Sequence, residues 1–400
     1  MSWRCQPPVL SPISVRGLVE GFAAAIGLID GAHNNVSLAL QRRYGCRDAL
    51  LTDSGTSALI LALRKLVPQG GTVAYPAYGC IDLTTAALGA QVHVRLYDVD
   101  PATLSPDLDS LRSAIRRGVD AIVVAHLFGY PADIIGVAEV AAGQGITVIE
   151  DAAQAAGGSL HGVLLGSLGD MAILSFGRGK GVTGGSGGAV LVRTPELADW
   201  MLRTRSELRA ASRGVIDVGK LAAQRVFSHP SLYRLPASIP GLRLGDMVFH
   251  SPRIPVGMSP ASSAILRRSL EGQCQETSRR RQRAKEWLSR LRDSARITLI
   301  RPIPGGESGF LRLALTDTSR ALKPCTSLGA LRGYPMTLDQ HPQLAPLLHR
   351  GERAGKGSEF LRDRLFTLPT HNRVDRRDVS WLNDWLGIPE PDSNALLAAT

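Results

Sequence analysis

Aromatic residues are scarce in this 400-residue chain: Phe, Trp and Tyr together make up 5%. Charged residues reach only 20%. Those shortages exclude a coiled coil and a charge-driven disordered chain. Cysteine is sparse as well. Cys5, Cys46, Cys80, Cys274 and Cys325 are scattered, odd in number and without CxxC spacing. This usage argues against a disulfide framework, a zinc ribbon or a four-cysteine iron–sulfur cluster, and fits a reducing cytoplasm. No charge-free apolar run is long enough for a spanning helix. The opening Met1-Ser2-Trp3-Arg4-Cys5-Gln6-Pro7-Pro8 lacks the apolar core of a signal peptide, so a cytoplasmic protein is expected. Acidic side chains are in deficit: 35 Asp and Glu face 46 Lys and Arg, a net charge of +11. That excess points to an anionic partner without choosing among phosphorylated metabolite, nucleic acid and membrane.

What is present is a hydrophobic content of 44%, with 42 Gly and 24 Pro. Length and composition together fit a large domain plus a smaller one. From 47 to 195, short apolar runs alternate with helical patterns. The expected strands are Thr72–Tyr75, Val92–Tyr97, Ala121–His126, Ile146–Glu150, Met171–Phe176 and Gly188–Val192. Helical segments are expected near 56–66, 80–89, 106–117 and 134–144. This alternation predicts an α/β fold, three layers α/β/α around a mainly parallel mixed sheet. Ligands of such sheets sit beyond the carboxyl ends of the strands.

Residues 1–46 form an N-terminal segment ahead of this core, 47–195. The Arg-rich helix Leu202–Ala211 then leads into a Pro-rich stretch, so 196–256 reads as an irregular connection or insertion. Residues 257–400 read as a smaller C-terminal α+β domain. Ala284, Trp287, Leu288 and Leu291 mark one stripe of an amphipathic helix whose other face holds Arg279, Arg280, Arg281 and Arg283. Within 261–300, ten Lys and Arg face four Asp and Glu. That is either a solvated helix face or an anion-facing surface.

Three loops carry candidate chemistry. Ser54-Gly55-Thr56-Ser57 runs into an apolar helix; Ser54 reads as an N-cap, and free amides at Gly55, Thr56 and Ser57 would meet an anion. Asp151 ends the buried run Val148-Ile149-Glu150, where a carboxylate needs a cation or several donors. It either faces a protonated ring or caps the next helix. Lys180 stands in the glycine-rich run Ser175–Gly188, 29 residues after Asp151. The spacing is not that of a Walker loop. Lys180 reads as a phosphate-binding charge or as an amine nucleophile. A phosphate cup, a strand-end Asp and a lysine are the parts that pyridoxal 5′-phosphate requires. Tyr78, after another strand, reads as a ring-stacking or a core tyrosine.

With these motifs the chain resembles the DegT/DnrJ/EryC1/StrS sugar aminotransferases, a branch of the fold-type I pyridoxal-phosphate enzymes. The collinear matches are Ser54–Leu59, Tyr75–Tyr78, His126–Asp133, Glu150–Gln154, Gly166–Asp170 and Ser175–Gly188. The later Leu365–His371 matches less specifically. The resemblance implies Lys180 as the Schiff-base lysine and Asp151 as partner of the pyridine nitrogen. It implies Gln154 near the phenolic oxygen, Ser175 with the Gly55 and Thr56 amides around the phosphate, and Tyr78 stacked on the ring. It implies no metal. It also implies L-glutamate as donor, a nucleotide-linked keto sugar as acceptor and a homodimer. Two departures stand out: Gly181-Val182 replaces the family's Asn-Leu, and Pro255-Val256-Gly257-Met258 replaces its Asn-x-Arg/Lys-Met.

Two other readings share this fold. A cofactor-dependent sugar dehydratase would typically carry His in place of Lys180. A non-catalytic sensor would not need Asp151, Gln154, Ser175 and Lys180 together. No helix-turn-helix, zinc-finger or RNP-like motif supports nucleic-acid binding, so neither nucleic acid nor membrane is an expected partner.

Overall fold

The structure is a computed structural model that describes residues 4–239, 241, 247–291 and 296–386. The start of the 1–46 segment, parts of the 196–256 connection and of the Arg-rich segment, and the end of 257–400 lie outside the described residues. In chain order the helices are α1 (Val15–Ala25), α2 (Ala32–Tyr44), α3 (Gly55–Leu66), α4 (Asp82–Ala90), α5 (Leu108–Arg116) and α6 (Ile134–Ala141). They continue as α7 (Pro195–Glu207), α8 (Val215–Phe227), α9 (Arg234–Ala237), α10 (Pro260–Glu271) and α11 (Gln273–Arg290).

Seven strands make the central sheet: β1 (Asp48–Thr52), β2 (Thr72–Pro76), β3 (His93–Tyr97), β4 (Ala121–Ala125), β5 (Thr147–Asp151), β6 (Met171–Ser175) and β7 (Gly188–Val192). Their spatial order is β1-β7-β6-β5-β4-β2-β3. The pairs from β3 through β6 are parallel, whereas β7 runs antiparallel to both β6 and β1. The expected mixed α/β sheet is therefore present. Continuous apolar strands such as Ala121-Ile122-Val123-Val124 are what a sheet covered on both faces requires. One apolar cluster lies on each side: Ile122, Val124 and Val148 face one layer, Val123, Ile149 and Ile173 the other.

A four-stranded antiparallel sheet follows at Ile297–Leu299, Arg312–Asp317, Leu331–Arg332 and Leu365–Pro369. Trp287 of α11 packs under it and donates to the Pro369 carbonyl at 2.8 Å. Helix α10 instead packs against α1 and α2. The 196–256 stretch, expected to be mostly irregular, carries all of α7 but its first residue, together with α8 and α9; α7 starts earlier and ends earlier than the expected Leu202–Ala211 helix. Val218 and Leu221 of α8 join Ile265 of α10 in a small apolar cluster.

The Arg-rich segment resolves into ion pairs rather than a bare cationic face. Arg267 and Arg268 converge on Glu20 and also reach Glu271. Arg281 pairs with Glu307, and Arg283 with Glu286. Among the described residues no helix is long and apolar enough to cross a membrane.

Candidate active site

Parallel topology brings the carboxyl ends of β4, β5 and β6 to one edge, and a cleft of about 570 Å³ opens there. Gly55, Thr56, Asp151, Gln154, Ser175 and Lys180 all line it. Six of the seven residues singled out from the sequence thus meet in one place.

The first wall is the start of α3. Ser54 caps the helix by accepting from the Ser57 amide at 3.0 Å, so that amide, expected to be free for an anion, is taken by the cap; the Gly55 and Thr56 amides have no acceptor among the described residues. Two free N–H groups at a positive helix end form an anion cup. Its shape depends on glycine. A Cβ on Gly55 would lie 2.7 Å from the Ser175 Cβ and 3.0 Å from its hydroxyl. A Cβ on Gly188 would lie 2.4 Å from the Ser54 carbonyl. Strand β7 and Ser175 therefore press directly on the cup.

Asp151 forms the floor. One carboxylate oxygen accepts from the Ala153 amide at 3.0 Å, so Asp151 does make the turn that a local cap would make. The other oxygen has no partner among the described residues. Burial lifts this carboxyl above its usual range; the Ala153 amide and the Lys180 ammonium pull it down without cancelling that effect. A buried carboxylate with a spare oxygen is a site in want of a cation.

Lys180 sits on the loop between β6 and β7. Thr183 pins that loop, its hydroxyl donating to the Phe176 carbonyl at 3.0 Å and accepting from the Gly185 amide at 2.9 Å. Gly179, at φ +82°, turns the chain just before the lysine and donates its amide to Ser11 at 2.7 Å. The Lys180 amine has no ion-pair or hydrogen-bond partner among the described residues. It is the one lysine on the cleft wall.

Next to Asp151, Glu150 points to the opposite side of the strand and is buried with His126. The His126 Nδ1 accepts from the Ala132 amide at 2.9 Å, which puts the ring proton on Nε2, 2.9 Å from Glu150. Burial alone would raise the Glu150 carboxyl, but His126 and the Gly166 and Gly169 amides hold it below the usual range. The Gly166–Asp170 motif is thus a structural turn wrapped on Glu150.

Tyr78 is not on the cleft wall. It is fully buried, and its hydroxyl accepts from the Tyr334 amide at 2.8 Å. The nearest room for a Cβ on Gly333 is taken by that hydroxyl, at 2.1 Å. The aromatic ring that reaches the cleft is Tyr334, packed between Tyr78 and Phe128 with ring centroids 5.2 Å away on each side. Cys80 and His126 also line the cleft. None of these three had a role assigned from the sequence. His126 lay in a noted motif at a strand end; Tyr334 gave no local signal beyond a Gly-Tyr-Pro turn.

The donor set fits pyridoxal phosphate: free amides for its phosphate, a spare carboxylate oxygen for a ring nitrogen, and an unpartnered amine. A model of the DegT/DnrJ/EryC1/StrS aminotransferase family matches residues 34–382. An L-glutamine:2-deoxy-scyllo-inosose aminotransferase from Streptomyces kanamyceticus is 34% identical over 190 residues, 45% of this chain and 44% of the relative. A UDP-N-acetyl-3-dehydro-alpha-D-glucosamine 3-aminotransferase from Acidithiobacillus ferrooxidans is 37% identical over 146 residues, 36% of this chain and 40% of the relative. The chain thus spans about half the length, or less, of the curated relatives it matches. In fold it is similar to the sugar aminotransferase CalS13 from Micromonospora echinospora. That match has a TM-score of 0.75 and 23% identity, covering 95% of this chain and 98% of the other. The chain belongs to the DegT/DnrJ/EryC1/StrS aminotransferase family.

Proposed function

We propose that this family member is a cytoplasmic, homodimeric pyridoxal-phosphate-dependent aminotransferase that moves an amino group from L-glutamate to a keto sugar. The observation that carries this reading is the meeting of Lys180, Asp151, Ser175 and the free Gly55 and Thr56 amides around one cleft. Lys180 in that cleft also weighs against the dehydratase and sensor readings.

In this reading the Gly55 and Thr56 amides and the Ser175 hydroxyl hold the cofactor phosphate. The spare Asp151 oxygen pairs with the ring nitrogen and keeps it protonated. The bound cofactor supplies an electron-accepting ring that spreads the charge left when a carbon acid loses its proton. The Lys180 amine takes that proton from the donor's α-carbon and returns it as general acid. Gln154 and Tyr334 form the far wall. There the Gln154 side chain is already committed: its Oε1 accepts from the Phe128 amide at 2.8 Å and its Nε2 donates to the Tyr334 hydroxyl at 2.7 Å. We therefore give Gln154 a supporting role behind Tyr334. We give Tyr78 the same role, buttressing Tyr334 rather than stacking on the ring.

The test is the donor half-reaction. Purified protein loaded with pyridoxal phosphate should release 2-oxoglutarate from L-glutamate with a matching change in cofactor absorbance. Lys180→Ala should do neither. L-glutamine, the donor named for the Streptomyces relative, is the comparison substrate. Release of 2-oxoglutarate by Lys180→Ala at the wild-type rate would overturn the assignment.

A further inference from the structure

One arginine of the Arg-rich segment is not at the surface. Arg280 of α11 is only 2% exposed. Its carboxylate neighbour is Glu276, one turn earlier, with Nε and Oε1 3.6 Å apart. That is an ion pair beyond hydrogen-bond reach. The Arg280 Nη2 has no hydrogen-bond partner among the described residues. Burial pushes this guanidinium below its ordinary range, against the pull of the Glu276 charge. A buried cation served so sparsely costs stability, so packing alone does not explain it.

What the guanidinium meets is the lysine loop. A Cβ built on Gly181 would stand 2.5 Å from the Arg280 Nη1 and 2.7 Å from the Ala156 Cβ. Gly181 lies outside the left-handed region, so its backbone would accept any residue. Space, not conformation, calls for glycine there. The Arg280 head fills the place of the side chain that residue 181 lacks, and an Asn, expected there by resemblance, has no room. Gly181 directly follows Lys180, and Ala156 lies in the turn after Asp151. Arg280 therefore stands where the Lys180 loop meets that turn. Helix α11 is a firm mount for it. Arg281 donates to the Gly157 carbonyl at 3.0 Å and to the Ser308 carbonyl at 3.1 Å. A Cβ on Gly157 would collide with the Thr277 hydroxyl. On the other flank of Lys180, Gly179 gives its amide to Ser11. The lysine is thus bracketed by two glycines, each held by a side chain from outside the 47–195 core.

We infer that Arg280 is a positioning residue for Lys180 and acts through Gly181, its guanidinium wedged in the side-chain space of that glycine. With the space filled, the loop cannot settle back onto α11, and the Lys180 amine stays turned to the cleft that Asp151 floors. This rests on the aminotransferase reading, in which that amine carries the proton. Arg280 itself is off the cleft wall and touches neither cofactor nor substrate in that reading. Placement of this kind matters to rate: a shift of about 1 Å in a reacting group can cost about a hundredfold.

The experiment is a double-mutant cycle on the full-length protein: Arg280→Met, Gly181→Ala and the pair. Met keeps much of the side-chain length and removes the charged fork. Melting of the apoprotein, pyridoxal-phosphate affinity by equilibrium dialysis, and the rate and half-saturation of the donor half-reaction are read for each. L-glutamate and L-glutamine are both tried as donors. Each single variant should stay folded at the assay temperature and slow the half-reaction about tenfold to a hundredfold. Half-saturation by the donor should stay within about twofold, since no donor contact is lost. Pyridoxal-phosphate affinity should fall alongside. The pair should cost no more than the worse single variant, because both changes act on one contact. If the wild type reacts with neither donor, the aminotransferase reading falls and this inference with it. If the wild type reacts, a lowered melting temperature with rate and cofactor affinity unchanged would mark Arg280 as merely structural and overturn this inference alone. Additive losses in the pair would overturn it as well. Should Arg280→Met melt below the assay temperature, Arg280→Lys, which keeps a charge without the fork, replaces it under the same criteria.

Discussion

Gln154 Nε2 donates to the Tyr334 hydroxyl at 2.7 Å, joining residues 180 apart in the chain. Through its other end Gln154 accepts from the amide of Phe128, a residue held at φ +55°. One amide side chain thus ties the turn after β5, the strained turn after β4 and a loop of the C-terminal sheet into a single wall. Replacing it strands two buried polar groups. Gln154→Leu should destabilise the protein by about 1–3 kcal/mol and lower kcat/KM. Urea denaturation beside steady-state kinetics checks both.

Gly55 and Ser175 press together at the proposed phosphate cup. Because an added Cβ would stand 2.7 Å from the Ser175 Cβ, Gly55→Ala should force the helix start or β6 to move. Overpacking of this kind costs about 1–3 kcal/mol. Pyridoxal-phosphate affinity should fall roughly tenfold to a hundredfold, measured by equilibrium dialysis, while the secondary-structure spectrum stays as in the wild type.

Asp151 gives a prediction with a sign. Its folded carboxyl is lifted by burial, so the folded apoprotein keeps a proton that the unfolded chain releases. The stability linked to that proton is present at low pH and is lost as pH rises through the lifted value. Asp151→Asn removes that loss. Its apoprotein should therefore melt at a higher temperature than wild type at neutral pH. Its turnover should nonetheless fall about a hundredfold or more, since the proposed partner of the ring nitrogen is gone. Calorimetry of the apoproteins and kinetics of the loaded ones separate the two effects.

Glu20 shows the opposite sign. Hydrogen bonds from Arg268, against a small burial penalty, and from Arg16, with the Arg267 charge, hold its carboxyl down to about 2. Its contribution is present above the usual carboxylate range and disappears as pH falls toward 2. Glu20→Gln should loosen α1 from α10 and lower the melting temperature at neutral pH. The gap to wild type should close on acidification, as a melting series across pH would record.

The local half of the candidate site was legible from sequence, the distant half was not. The expected strand Gly188–Val192 is observed with the same bounds, and the expected Met171–Phe176 strand differs by one residue at its end. Their apolar runs are unbroken and fully covered. Asp151 and Lys180 were legible because a charged residue at the end of such a run has few other reasons to be there. Tyr334 was not, because only tertiary folding brings it to Gln154. Tyr78 was ambiguous for the same reason: a tyrosine after a strand looks alike whether it faces the cleft or, as here, backs the residue that does. The 196–256 helices were hidden by prolines around them: Pro230 falls between α8 and α9, Pro236 inside the short α9, and Pro252 and Pro255 after it, with α8 free of proline. The Arg-rich segment looked like a charged surface because Glu20 and Glu307, which pair with it, lie far away in sequence.

The central claim is that Lys180 is the residue to which the cofactor is bound. Borohydride reduction of the pyridoxal-phosphate-loaded protein, followed by peptide mass spectrometry, reads this directly. The chain has six lysines, and Lys180 alone lines the cleft. The account predicts one reduced cofactor per chain, on the peptide containing Lys180. A reduced adduct on another lysine, or none on a protein that still transaminates, would contradict it.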